Sequence, residues 1–450
     1  MPLKVLVVGA GVCGPAFAAL LHRANPSHEI TIIERSDGLR QSGLQIDLRS
    51  QGIPIVRKMG LLPAIRRRVV PETGLAFVDA RGRRYAAFGK NDSGQGPQGL
   101  TSEYEIMRGD LVDVFYRASL GLKQLGDDED ETPVRGGGGG GGSGGSTNNV
   151  RYEFGVTVKE LSQNDDAGVD VTFDDGRKAR YDLVVGADGQ SSRTRRMLLG
   201  GKEASDACFR SLGLFTAFYQ VPRTPDDDSW MKFYLLPGRR GLCTRSGDKA
   251  APKQVYVVIQ TGRGTNEYGL RTAMTQSVAE QKATFARAFA DEHGWQVDSL
   301  MDALVNKTPD DDFYATEIGQ VHCDKIAVGR IALLGDAGYT PSPITGMGTT
   351  LSLTGAYILA GELARHGEND VPGALQAYQR VVKPFVDEGQ KLFPGAPGIL
   401  YPRSRWGVWI LTTIVSLVAK LRIYDFLVRV LPESKGGLQI PEYPELNLDA

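Results

Sequence analysis

Leu3-Lys4-Val5-Leu6-Val7-Val8-Gly9-Ala10-Gly11-Val12-Cys13-Gly14 is the stretch that decides the fold. Leu3 to Val8 is an apolar run of the kind found in parallel sheets covered on both faces. The glycines follow at once, and Val12 to Arg23 then reads as a helix, with Pro15 tolerated in its first turn. Ile30 to Glu34 reads as a second strand, which completes the start of a βαβ unit. Gly9, Gly11 and Gly14 let the chain turn tightly, let a pyrophosphate approach the backbone and let the helix pack closely on the strand. The helix N-terminus offers free N–H groups and a positive partial charge to phosphates. Glu34 ends the second strand, twenty residues after Gly14, where a carboxylate accepts hydrogen bonds from a ribose hydroxyl pair; Arg35 stands beside it. The segment therefore predicts a dinucleotide site without saying which dinucleotide.

Two more buried runs end in glycine and aspartate. Asp182 to Ala187 leads into Asp188-Gly189, and Arg330 to Leu334 leads into Gly335-Asp336. Between them, Leu212 to Val221, Met231 to Leu236 and Gln254 to Thr261 alternate like strands of an antiparallel sheet, accompanied by one helix, Ser277 to Asp291. The expected fold class is α/β: a Rossmann-like nucleotide domain with an inserted, mostly antiparallel β-sheet substrate domain and a C-terminal helix. Residues 1–70, 101–204 and 319–395 form the nucleotide domain in this reading. Residues 71–100 and 205–318 form the substrate domain, and 396–450 the C-terminal helical segment.

The second turn reads Asp182-Leu-Val-Val-Gly-Ala-Asp188-Gly189-Gln-Ser-Ser192-Arg-Thr-Arg195, and the third Gly335-Asp336-Ala337-Gly-Tyr-Thr-Pro341-Ser-Pro343-Ile-Thr-Gly346-Met-Gly348. In this order and spacing, from residue 1 to about 390, the chain resembles the class A flavoprotein monooxygenases, which share the fold of para-hydroxybenzoate hydroxylase. The resemblance implies FAD as cofactor. It gives Asp336 a ribityl hydroxyl of FAD, and Asp188 a role shared between FAD and the nicotinamide cofactor; the other reading of Asp188 is a cap for the turn after its strand. Arg108, in Ile106-Met-Arg108-Gly-Asp-Leu111, matches a flavin-contacting position. Arg40 and Asp47 stand in a segment similar to that of tetracycline-modifying relatives. Pro343, Gly346 and Gly348 lead into a helix whose N-terminus would face the flavin pyrimidine edge and favour its anionic reduced form. Ser192 and Arg195 are weaker candidates, a surface position being the default for an arginine. Two departures concern the subfamily: Tyr339 replaces a usual histidine, and Gly355-Ala356 a frequent Asp-Ala pair. Tyr339 is the catalytic candidate by motif position alone.

The implied reaction uses NADPH or NADH and O2, through a flavin C4a-hydroperoxide, to hydroxylate a small aromatic or polyketide-like substrate. No second glycine motif follows a strand and opens a helix, so the nicotinamide would bind in passing. Alternatives are a flavin oxidase, reductase or epoxidase of the same fold, and, from another class, a non-catalytic FAD-binding interaction protein.

A formal net charge of -1 argues against nucleic acid as a partner. Cys13, Cys208, Cys243 and Cys323 form no CxxC pair, and His322-Cys323 lacks a second ligand pair, so neither a disulfide framework nor a metal is expected. The apolar start is interrupted by glycines, unlike a secretory signal, so the reading is cytoplasmic. Residues 126–149 carry an acidic run and seven consecutive glycines and read as a disordered surface loop. Trp406 to Leu431 is apolar but broken by Lys420, too early for a spanning helix; it reads as a helix packed across both domains, with peripheral membrane contact as the other reading.

Overall fold

The computed structural model describes residues 2–40, 44–90, 103–126, 149–163, 167–247, 251–262, 264–421 and 438–448. Most of the glycine-rich stretch 126–149, and residues 422–431 of the expected C-terminal helix, lie outside them.

The opening run forms the strand Lys4–Val8, whose Val5, Leu6 and Val7 are fully buried. It sits inside a six-stranded sheet in the order Ala327–Val328, Ile331–Leu333, Leu183–Gly186, Lys4–Val8, Glu29–Glu34, Val150–Phe154. Every neighbouring pair is parallel except the outermost, Ala327–Val328 with Ile331–Leu333. Register explains why distant turns converge. Val8 lies opposite Ile33 and Gly186, and Gly186 opposite Leu333. The carboxyl ends of four strands therefore emerge side by side, where open α/β sheets place their ligands. The helices Cys13–Ala24, Gly348–His366 and Val371–Gly389 stack over one face of this sheet.

A seven-stranded sheet runs in the order Tyr314–Val321, Phe209–Val221, Lys253–Gln260, Arg240–Arg245, Trp230–Leu236, Gly74–Val78, Arg84–Gly89. Its pairs are antiparallel apart from Trp230–Leu236 with Gly74–Val78. One face packs Phe215, Tyr219, Val257 and Ile259 against Phe285, Leu300 and Leu304. Among the described residues the single helix expected here is corrected to three: Leu270–Ala273, Val278–Arg287 and Val297–Asn306. The last was legible, since Val297, Leu300, Met301 and Leu304 follow the helical i, i+3, i+4, i+7 spacing and are all buried.

The C-terminal helix spans Arg405–Lys420 and lies on Arg84–Gly89 and Trp230–Leu236, with the Ser416 hydroxyl donating to the Tyr85 carbonyl at 3.1 Å. Its Val408 and Leu411 also cluster with Ile344 and Leu392 of the nucleotide domain, and residues 438–448 add a second tie to that domain. There Tyr443 packs over Gly361 and Tyr357, the Tyr357 hydroxyl donates to the Pro441 carbonyl at 3.0 Å, and Glu442 pairs with Lys58. Among the described residues no helix is long and apolar enough to cross a membrane.

Candidate cofactor and substrate site

The first turn is built by close backbone approach. Gly9 has φ 114° and donates to the Ile33 carbonyl at 2.8 Å; a Cβ there would lie 2.5 Å from the Ala187 carbonyl oxygen. A Cβ on Gly14 would lie 2.1 Å from the Gly9 oxygen. These two glycines serve packing. Gly11 differs, because the nearest atom to its would-be Cβ is the Arg108 guanidinium at 3.4 Å. The helix Cys13–Ala24 opens with no side-chain cap and no acid in its first turn, leaving its amides and positive end available. Glu34 borders the loop. It accepts from the Ala10 and Ser36 amides, each at 3.1 Å. Arg35 and Arg40 are exposed, and Arg40 donates to the Ser36 hydroxyl at 3.1 Å.

The third turn wedges between two helices. Gly335 has φ 62°, and a Cβ there would lie 2.9 Å from the Cys13 sulfur and 3.0 Å from the Ser352 hydroxyl. Asp336 is thereby brought to Arg108. Burial pushes the Asp336 carboxyl above the usual carboxylate range, while the Thr340 hydroxyl and the Arg108 guanidinium draw it back down. Burial also pushes the Cys13 thiol up to about 12, so it stays neutral and packs as an apolar group.

Beyond Asp336 the chain makes a stiff turn. Ser342, at φ 87°, accepts from the Ile344 amide at 3.2 Å; Pro343–Thr345 is one 3-10 turn, with Pro343 exposed; Gly346 follows at φ 63°. The helix Gly348–His366 then begins, again without a side-chain cap or an acid in its first turn. Beside it stands the Asp47–Arg49 ion pair at 2.7 Å, and the Thr350 hydroxyl donates to the Arg49 carbonyl at 2.8 Å.

Three expectations change. Asp188 is a capping residue: its carboxylate accepts from the Ser192 hydroxyl at 2.5 Å, the Arg193 amide at 2.8 Å and the Thr194 amide at 3.0 Å. Tyr339 is not placed for catalysis. It is 2% exposed, and its hydroxyl meets the Tyr378 hydroxyl at 2.9 Å in the core between helices. Arg195 is not a surface residue but 4% exposed, donating to the Ser205 hydroxyl and to the Ala337 and Gln190 carbonyls.

The remaining groups suit one ligand. Two acceptors for sugar hydroxyls, Glu34 and Asp336, flank a guanidinium and a free helix N-terminus at Gly11, which is the donor pattern of a dinucleotide. Residues 146–389, over half of the 450, match the FAD binding domain family. The FAD-dependent monooxygenase asL6 of Sarocladium schorii is 38% identical, the alignment covering 100% of both chains. The chain belongs to the class A FAD-dependent monooxygenases. A second relative of this monooxygenase, the flavin-dependent monooxygenase eupH of Phoma sp, is 33% identical over 98% of both chains. The crystal structure of the tetracycline destructase Tet(51) superposes with a TM-score of 0.71 at 25% identity, covering 98% of this chain and 100% of that one. The fold is also that of Klebsiella pneumoniae HpxO complexed with FAD and uric acid, at TM-score 0.63 and 18% identity, covering 95% and 96%.

In the monooxygenase the second face of the seven-stranded sheet turns toward Ile344, in the turn after Asp336, and it is apolar: Leu214, Phe233 and Val258 cluster with Ile344 and Tyr401. Next to them, the Tyr256 ring meets Phe218 edge-on at 5.1 Å, and Phe218 stacks on Tyr314 at 5.9 Å. The Tyr256 hydroxyl donates to Gln254 Oε1 at 2.8 Å, and the Gln254 amide reaches Met107, the neighbour of Arg108, at 3.4 Å. Below lies a buried ionic cluster. Arg245 binds Glu72 through two hydrogen bonds, at 2.8 and 3.0 Å, and also binds Glu105, which accepts from Gln45. Sequence reading missed all of these. Only the strand alternation pointed to Tyr256, since its face is known only once it is known which side of the sheet the helices cover.

Proposed function

We propose that this monooxygenase uses NADPH or NADH and O2 to hydroxylate an aromatic, polyketide-like substrate held between the Ile344 loop and the Tyr256–Phe218 face. The observation that carries this reading is the aromatic sheet face turned on that loop, bearing one phenol that is linked through Gln254 to the segment leading into Arg108. Apolar rings accept a planar substrate and keep water out, while the Tyr256 hydroxyl orients it. The destructase name of a structural relative supports a phenolic, polycyclic ring system as substrate class.

In this reading the amides at the start of Cys13–Ala24 hold the FAD pyrophosphate with Arg108 beside it. Glu34 takes the adenosine ribose, Asp336 a ribityl hydroxyl, and the first turn of Gly348–His366 the pyrimidine edge. Bound FAD supplies the two-electron transfer and the delivery of one oxygen atom from O2. The chain's own residues bind, orient and exclude water. Burial raises the Tyr256 phenol above its ordinary range, against the pull of Arg245, so it stays protonated and acts as a hydrogen-bonding group rather than a base. Four free cysteines fit a reducing, cytoplasmic setting. The test is to purify the protein, record its visible spectrum, and screen phenolic compounds for stimulated NADPH and NADH oxidation. Product carrying one labelled atom from 18O2 is expected. Hydrogen peroxide as the sole oxygen product, with every phenol tried, would overturn hydroxylation.

A further inference from the structure

The helix Arg405–Lys420 is apolar on two sides. Its inner side places Val408 and Leu411 against the cluster that contains Tyr401 and Ile344. Its outer side is a continuous stripe at helical spacing: Trp406 is 75% exposed, Trp409 59%, Ile410 51%, Ile414 54%, Leu417 53% and Leu421 60%. Trp406 and Trp409 pack edge-on at 6.0 Å, forming one aromatic knob at the start of the stripe. A contiguous exposed apolar face of this kind marks an interaction surface, whereas single exposed apolar residues do not.

Charge decides between occupants. From Pro402 to Leu421 the charged residues are Arg403, Arg405 and Lys420, all exposed, and no acid occurs. Pairing the stripe with a second copy would set arginines against arginines in parallel, or arginines against Lys420 in antiparallel; both orientations juxtapose like charges. An anionic bilayer surface satisfies the same groups. Tryptophans settle at headgroup depth, aliphatic side chains reach the acyl boundary, and flanking cations bind the anionic headgroups. At 16 residues the helix is too short to span a bilayer core, so it lies in the interface plane.

We propose that the Arg405–Lys420 helix docks this monooxygenase onto an anionic membrane surface through the stripe from Trp406 to Leu421. The docked helix is one layer from the flavin loop, since Val408 and Leu411 share a cluster with Ile344.

The test uses the full-length, FAD-loaded protein and flotation with phosphatidylcholine vesicles, with and without phosphatidylserine. Wild-type protein is expected to float with the phosphatidylserine vesicles, to do so less as salt rises, and to show a blue shift of tryptophan emission on binding. The double variant Trp406→Ser/Trp409→Ser should keep its flavin spectrum and melting temperature, because both rings are exposed, and lose binding by roughly tenfold or more. The proposal is overturned by absence of flotation at low salt, by equal binding to neutral vesicles, or by unchanged binding of the double variant. It is also overturned by a lipid-free dimer that this variant dissociates. Shielding of Trp406 and Trp409 from aqueous quenchers without lipid has the same force, since the stripe would then be covered by the protein's own chain.

Discussion

The Arg195 guanidinium donates to the Ala337 carbonyl at 2.9 Å, joining the Asp-Gly turn to the Gly-Asp turn across 142 positions of sequence. The same side chain holds Gln190 at 2.7 Å and Ser205 at 3.0 Å, so one buried cation ties the two turns to each other and to the helix Lys202–Ala207. Arg195→Met would leave these acceptors unpaired in the interior. A loss of about 2–4 kcal/mol in denaturant unfolding is expected, together with weaker FAD retention. Arg195→Lys, which cannot span all three partners, should fall between the two.

Asp336 separates stability from cofactor binding. A carboxyl raised by burial binds its proton more tightly in the folded state than in the unfolded one. The FAD-free protein should therefore lose stability as pH rises from the ordinary carboxylate pKa through the raised one. Asp336→Asn should flatten that dependence and melt no lower than wild type at neutral pH. Its FAD affinity, measured by fluorescence titration, should nevertheless fall by about tenfold or more, if the carboxylate holds a ribityl hydroxyl.

Gly11 and Gly14 should respond differently to the same substitution. Gly14→Ala puts a methyl group 2.1 Å from a backbone oxygen, so little folded protein is expected. Gly11→Ala meets only the end of the Arg108 side chain at 3.4 Å. Its FAD-free form should melt close to wild type while its FAD affinity drops, because the methyl group occupies the approach of the pyrophosphate. Thermal melts with and without FAD check both.

Tyr256→Phe should retain FAD, since its hydroxyl bonds Gln254 and not the glycine turns. Substrate-stimulated NADPH oxidation should show a raised KM, and more of the NADPH should be consumed to form hydrogen peroxide, as orientation is lost. An unchanged product yield per NADPH would remove Tyr256 from the substrate site.

Arg245→Met would strand Glu72 and Glu105, both nearly inaccessible, without their shared cation. A loss of about 3–5 kcal/mol is expected from chemical denaturation. Adding Glu72→Gln to that chain should recover part of it, because one stranded charge is then removed.

The nucleotide half of the fold was readable because its signals are local. Val5 to Val8, Gly9 to Gly14 and Gly335-Asp336 each carry their reading in a few neighbouring residues. What failed depended on long-range packing. Tyr339 stands at a motif position near the flavin, yet its side chain turns inward to Tyr378, a partner 39 residues away that the motif does not contain. Arg195 looked like surface because its partners come from Gln190, Ser205 and Ala337. The buried Glu72–Arg245–Glu105 cluster joins three separated strands or strand ends, and no short window holds it.

The way Tyr443 seats on Gly361 has a consequence for synthesis. The first strand needs Leu183–Gly186 beside it, that strand needs Ile331–Leu333, and the helix carrying Gly361 is covered by a ring from residues 438–448. On the ribosome the nucleotide half therefore waits, with its apolar helices unsheathed, until residue 443 has emerged. Chaperone demand during production should be high, and Tyr443→Ala should lower the yield of folded protein.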